Sequence, residues 1–194
     1  DTYHAMTRNN IGSFNSSSSD LSDLSLSALV KIDEQDKSRW HAEIGFKFSV
    51  GDRNTKGKVL TPMNTIMEMV LPYGMQSGDD SAALVIGFTN LNTLSDEHLF
   101  GTQSRFFKNI SSKEWNYGDK TYFDSWYQYS VSQNFSISSR LRLNHQKDIS
   151  GVDPNITAPV QNSITSNYGG FTAEVGLGFN FLTKIFPGSE DRLA

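Results

Sequence analysis

Trp40-His41-Ala42-Glu43-Ile44-Gly45-Phe46-Lys47-Phe48-Ser49-Val50 alternates without an exception. Trp40, Ala42, Ile44, Phe46, Phe48 and Val50 share one parity, and His41, Glu43, Gly45, Lys47 and Ser49 share the other. A pleated strand sends successive side chains to opposite faces, whereas a helix would smear both sets around its circumference. The stretch therefore reads as a strand with one apolar and one polar face. Phe171 to Phe181 repeats it, with Phe171, Ala173, Val175, Leu177, Phe179 and Phe181 against Thr172, Glu174, Gly176, Gly178 and Asn180. Leu24, Leu26, Ala28, Val30 and Ile32 form a third apolar face, interrupted only by Leu29 on the side of Ser25, Ser27 and Lys31. In a fourth, Ile137, Leu141 and Leu143 oppose Ser138, Arg140, Arg142, Asn144 and Gln146.

Three less regular strands are expected at about 81–91, 97–108 and 121–132. In the last, Phe123, Tyr127, Tyr129 and Val131 share a face, while Tyr122 and Trp126 sit on the otherwise polar one. Each strand runs to roughly 10–12 residues, longer than the usual five or six of soluble sheets and suited to a tilted strand crossing a bilayer. All five prolines fall between strands, as the loss of a ladder donor requires. Connections near 34–38, 92–96, 133–135 and 183–190 are short, and those near 51–80, 109–120 and 148–170 are long. Short and long alternate strictly. In an up-and-down meander every tight turn then lies at one end of the sheet and every extended loop at the other, the asymmetry of outer-membrane barrels. Structureless loops of this length are rare in compact soluble domains.

Composition narrows the function classes. The 194 residues carry 17 Lys+Arg against 21 Asp+Glu, a formal charge of −4, without the positive footprint that binding a phosphate backbone needs; no nucleic-acid partner is expected. With no cysteine, disulfide staples and thiolate metal sites are excluded. The 26 serines, 15 asparagines and 13 threonines make up over a quarter of the chain, yet 12% is aromatic, too polar for a helical membrane protein and too aromatic for a disordered one. The longest apolar run, Ala82 to Ile86, is far short of the roughly 20 residues of a spanning helix. No charged-then-apolar leader opens the chain, so a mature form or a removed start is expected.

A soluble antiparallel sandwich or lipocalin-like barrel would alternate as well, with its apolar face inward. Three features favour the inverted, membrane arrangement. Aromatic residues stand near strand ends (Trp40, Phe123, Phe171, Phe181), where interfacial girdles lie. The polar faces mix Gly, Ser and Asn with opposite charges instead of dense Lys and Glu. Loop asymmetry is the third. The expected fold is thus all-β, an antiparallel up-and-down transmembrane β-barrel in a bacterial outer membrane, in contact with its lipid and lipopolysaccharide. Residues 1–194 form a single domain.

On this assignment the lumen is lined by His41, Glu43 and Lys47, by Gln103 and Arg105, by Asp124 and Gln128, by Arg140 and Arg142, and by Glu174. Antiparallel neighbours would set Arg105 near Asp124 and Arg142 near Glu174. Such a face is either a charged constriction that sorts solutes or a set of paired charges filling a closed interior. The expected function is passage or binding of small, partly apolar or aromatic solutes. The alternatives are a closed barrel that binds or anchors at the cell surface and, less favoured, a lipid-modifying enzyme. No catalytic residues, cofactor or metal are expected: His4, His41, His98 and His145 are scattered without ligand spacing. Asp148 to Asp153 and Asp79-Asp80 could hold Ca²⁺ in external loops, although acidic loop residues are more often simply solvated. Met63, Met67, Met69 and Met75 cluster in the longest loop, either covering an apolar entrance or packing that loop down, with packing favoured. Oligomeric state is left open.

The run Ile149-Ser150-Gly151-Val152-Asp153-Pro154-Asn155-Ile156 leads through Ala158-Pro159-Val160-Gln161 to Asn167-Tyr168-Gly169-Gly170 and the strand Glu174 to Asn180. With Leu71-Pro72-Tyr73-Gly74-Met75-Gln76-Ser77-Gly78, Asn116-Tyr117-Gly118-Asp119 and the step Asp20 to Leu24, it resembles the bacterial transporter-like family described as the MetA-pathway of phenol degradation. The resemblance spans nearly the whole chain. It implies an outer-membrane β-barrel associated with uptake around aromatic-compound catabolism and brings no catalytic residues. It also implies an incomplete barrel, seven to eight strands of a larger even number, lacking strands before Asp1 and a hairpin after Ala194. The stop at Glu190-Asp191-Arg192-Leu193-Ala194 reads as entry into another strand, and ending on Ala departs from the usual terminal aromatic.

Overall fold

The computed structural model describes residues 2–7, 13–61, 63, 65–111, 113–156, 161–183 and 191–193. In chain order the strands are β1 (Thr2–Thr7), β2 (Ser13–Ser18), β3 (Asp23–Gln35), β4 (Ser38–Ser49), β5 (Lys56–Leu60), β6 (Ile66–Val70), β7 (Ala82–Thr93), β8 (His98–Asn109), β9 (Trp115–Asn116), β10 (Lys120–Ser132), β11 (Phe135–Gln146), β12 (Ser150–Gly151), β13 (Gly170–Thr183) and β14 (Asp191–Leu193). The described chain is all-β, interrupted only by three short 3₁₀ turns. Eight strands build one antiparallel sheet in the order β3-β4-β7-β8-β10-β11-β13-β14. Its two end strands, β3 and β14, are not paired with each other, so among the described residues the sheet does not close.

The seven long strands fall within a few residues of the positions that alternation indicates, because a period of 2 survives the whole length of each. Their antiparallel registers carry that alternation across the sheet. Phe46 stands opposite Leu26 and Leu84, Ile86 opposite Ile44 and Phe106, and Leu141 opposite Ser125 and Val175. One face is therefore apolar from β3 to β13, and this face is exposed: Trp40 44%, Phe46 46%, Phe48 44%, Phe179 62% and Phe181 51%. The other face is where burial concentrates in the middle of the sheet, with Val85 at 1%, Asp124 at 2% and Glu43 at 7%. Bulges interrupt the register at Lys31/Asp33 and Ser130/Ser132, both beside short turns, where an extra residue bends the strand without disturbing the central pattern.

The short connections lie between β3 and β4, β7 and β8, and β10 and β11. The long ones gather at the opposite end and are not structureless. They hold the β5–β6 hairpin, the β9–β12 bridge and a cluster of buried apolar side chains, Tyr73, Trp115, Ile149 and Ile156, with Val70, Tyr117 and Tyr168 packed against it. The β1–β2 hairpin lies outside the main sheet and reaches the cap through Ser16, whose hydroxyl donates to the Lys58 carbonyl. Of the four loop methionines, Met75 is buried at 3% while Met63 and Met67 are exposed, so the packing role belongs to Met75. The turn expected near 183–190, Pro62, Pro187 and the Ala158-Pro159-Val160 part of the loop motif lie outside the described residues. Asp191–Leu193 does enter a strand, pairing with Phe181–Thr183.

Candidate functional site

The registers place all ten expected lumen residues on the polar face. His41, Glu43 and Lys47 lie opposite Thr89, Gly87 and Ala83 of β7. Thr89 and Gly87 lie in turn opposite Gln103 and Arg105, and Gln103 opposite Asp124. Asp124, Trp126 and Gln128 face Arg142, Arg140 and Ser138, and Arg142 faces Glu174.

One of the two expected charge proximities needs correction. Arg105 does not pair with Asp124; it reaches over β7 to Glu43, with Nε donating to Oε2 at 2.8 Å and Nη2 to Oε1 at 2.7 Å. Gly87 stands between them, and a Cβ there would sit 2.9 Å from Glu43 Oε2. The glycine gap lets residues two strands apart meet in a bidentate fork. Asp124 is held instead by β11: Arg140 Nε and Arg142 Nε both donate to Oδ1, at 2.8 and 2.9 Å. Glu174 stands directly opposite Arg142, as expected, although among the described residues the two form no ion pair and Glu174 is exposed. Gln103 donates to Thr89 at 2.8 Å, Gln128 to Ser136 at 3.4 Å, and Lys47 pairs with Asp23 at 3.0 Å.

The pairs run sideways along the wall, between neighbouring strands or strands two apart. Among the described residues none spans the space in front of the face. The arginines stay partly open, with side chains of Arg105, Arg140 and Arg142 exposed by 34%, 49% and 36%. Aromatic rings lie among them. Arg105 stacks on Phe107 and Arg142 on Tyr122 at 5.1 and 5.9 Å, and Trp126 covers Gly101, where a Cβ would come within 2.2 Å of the indole.

At the loop end the face opens into a polar chamber of about 270 Å³ bounded by Asp23, Lys47, Gln76, Tyr117, Lys120 and Gln146, among others. Strands β3 and β11 are five steps apart in the sheet, roughly 24 Å if flat at about 4.8 Å per step. Residues of both line this one chamber, so the sheet curls strongly around its polar side. Asp23 and Lys120 were not among the residues expected here. Lys120 shares the parity of Tyr122 and Asp124 and needed only one more residue at the start of its strand.

The cap above the chamber is tied by polar contacts of its aromatic groups. Tyr117 donates to the Tyr73 carbonyl at 2.5 Å, the Asp153 N–H donates to the Tyr73 hydroxyl at 2.8 Å, and Trp115 Nε1 donates to Asp153 at 3.2 Å. The Gly74 N–H donates to the Tyr168 hydroxyl at 2.6 Å. Burial pushes the phenols of Tyr73 and Tyr168 up, and that of Tyr117 further still, with the negative charges near Tyr117 acting in the same sense. Burial also pushes the Asp119 carboxyl up, but hydrogen bonds from Lys108, Lys147 and the Asn109 N–H outweigh it and hold the group at about 2. The loop carboxylates weighed as Ca²⁺ ligands or as simply solvated groups are partly engaged. Asp79 accepts from Ser81 and from the Tyr117 N–H, Asp80 pairs with Lys113 at 2.6 Å, and Asp153 accepts from Trp115 and Asn155. Among the described residues no group of three His, Asp or Glu is placed to hold a metal ion.

No helix among the described residues is long and apolar enough to cross a membrane, a statement that does not bear on strands. Neither the scan against protein-family models nor the search of curated proteins returns a match for this chain, so the functional reading draws on the two faces of the sheet alone.

Proposed function

We propose that this chain forms the wall of a bacterial outer-membrane β-barrel that passes small solutes along its polar face. Strands of 12 to 14 residues extend roughly 40 Å at about 3.3 Å per residue and, tilted by about 45°, fit a hydrocarbon layer of about 30 Å. An exposed apolar face that runs across seven strands is rare on soluble monomers and is what lipid requires. Stacked His98, Tyr127 and Tyr129, with the His98 ring centroid 5.7 and 4.7 Å from those of Tyr127 and Tyr129, stand at the short-turn end of that face, as does Trp40 near the β3–β4 turn, as an interfacial girdle would. In lipid an unpaired strand edge leaves backbone groups unsatisfied. The reading therefore requires further strands against β3 and β14.

The observation that carries passage, as opposed to a filled interior, is the sideways pairing of the polar face. Glu43–Arg105 and Asp124–Arg140/Arg142 pair charges within the wall, with one positive charge in excess at Asp124, and among the described residues leave the centre without cross-links. Arginines and aromatic rings then present both charge and apolar surface to a solute. Single-channel recording of the refolded protein in planar bilayers tests this: steady openings are expected, and silence in lipid contradicts it. Silence would favour the second reading, a surface-binding barrel, for which the cap around Tyr73 and Trp115 is the supporting feature, since it gives the loop end a packed outer surface.

A further inference from the structure

Lys120 is the cation that the lateral pairing leaves over. From β3 to β13 every other lysine and arginine of this face is in an ion pair: Lys31 and Arg39 with Glu34, Lys47 with Asp23, Arg105 with Glu43, and Arg140 and Arg142 with the one carboxylate of Asp124. Lys120 is half-buried at the start of β10, beneath the cap, and among the described residues it makes no ion pair and no hydrogen bond. The carboxylates nearest in charge are Asp23 and Asp79. Asp23 is committed to Lys47 at 3.0 Å, and Asp79 accepts from Ser81 N, Ser81 Oγ and Tyr117 N. A half-desolvated ammonium without an acceptor is costly unless something supplies the missing charge. The chamber it lines, about 270 Å³, has room for a small molecule. Its other walls include Ser77 and Gln146, which make no side-chain hydrogen bond among the described residues, and Lys47 brings a second ammonium.

We propose that this chamber is a binding site for a small oxyanion, a carboxylate or phosphate group, with Lys120 as its principal ligand and Gln146 and Ser77 as neutral donors. This rests on the solute-passing reading and narrows it to anionic solutes. Deeper along the same face, Arg142 uses Nε and Arg140 uses Nε and Nη2 on Asp124, and both side chains stay partly exposed with N–H groups left over, so an anion leaving the chamber meets further donors. The site stands at the entrance, where the long loops meet the sheet, and a bound anion would be held between the cap and the wall.

The test is calorimetric titration of the refolded full chain in detergent with inorganic phosphate and, separately, with acetate. Saturable binding of either anion is expected, weakened about tenfold or more in Lys120→Gln, as loss of a charge-assisted hydrogen bond implies, and retained within about threefold in Lys120→Arg, which keeps the charge and the donors. No saturable uptake of either anion, or binding indifferent to Lys120→Gln, overturns the proposal. Far-UV circular dichroism of each variant verifies that the sheet is intact. Because binding is read without ion flow, a silent bilayer recording would remove the pore and leave the anion site standing, and the reverse result would remove the site and leave the pore.

Discussion

Asp124 is 2% exposed and takes both arginine Nε groups on one oxygen. Replacing it by Asn leaves Arg140 and Arg142 side by side on one strand without the carboxylate they share. Because both guanidinium groups remain partly in water, the expected loss is about 1–3 kcal/mol, below the full cost of stranding a buried charge. Urea unfolding in micelles measures it. Glu174→Gln, at an exposed position without an ion pair, is expected to change stability by less than about 0.5 kcal/mol. Gly101→Val is a steric test: the indole of Trp126 occupies the space of a side chain at 101 and must move, so the tryptophan emission should change while the sheet persists. At this scale alternation told which face each charged residue shares, but not whom it pairs with. Pairing depends on register and on gaps such as Gly87, which lets Arg105 pass its adjacent strand and reach Glu43. Neither is written in the parity of one strand.

The long loops behave as an element of their own. Leu71, Tyr73, Met75, Trp115, Ile149 and Ile156 are all buried, yet they come from three separate connections with no periodicity, which is why they read only as loop. Trp115→Ala removes the largest member and is expected to cost the cap about 3–5 kcal/mol. Limited proteolysis should then cut within 110–119 while the strands stay protected. Tyr73, Tyr117 and Tyr168 have raised folded-state pKa values, so the unfolded cap gives up protons first. Its stability is complete below the ordinary tyrosine value of 10.0 and falls as pH rises above it. Tyrosinate absorbance with rising pH should show late, cooperative ionisation accompanied by protease sensitivity. Asp119 works in the opposite sense. Its pKa of about 2 lies below the ordinary 3.8, so the Lys108 and Lys147 ties are present above that value and are lost as pH falls towards 2. Asp119→Asn should remove this acid dependence.

Across the whole molecule the sheet is a curled wall with two open edges, and its apolar side is the one turned out. The seven long strands, their order and the segregation of long loops to one end were readable because amphipathic strands repeat and because connection lengths alternate, whereas the short hairpins outside the main sheet were not. Closure was not, because it depends on which strand meets β3 and β14, and alternation within a strand carries no information about its partner. The direction of the faces follows from where the polar side chains find their partners: Glu43 and Asp124 are buried against arginines while Phe46, Val175 and Leu177 are exposed.

The chain has no cysteine, so single cysteines can carry nitroxide labels without background. Labels at Phe46, Leu84, Leu141 and Leu177 and at Lys47, Gln103, Arg140 and Gly176, in protein refolded into liposomes, would be read for collision with oxygen, which partitions into lipid, and with a water-soluble nickel chelate. The account predicts high oxygen and low chelate accessibility at the first four and the reverse at the second four, alternating residue by residue along each strand. Chelate reaching Phe46 and Leu177 as freely as Lys47, or the two sets exchanged, would contradict it.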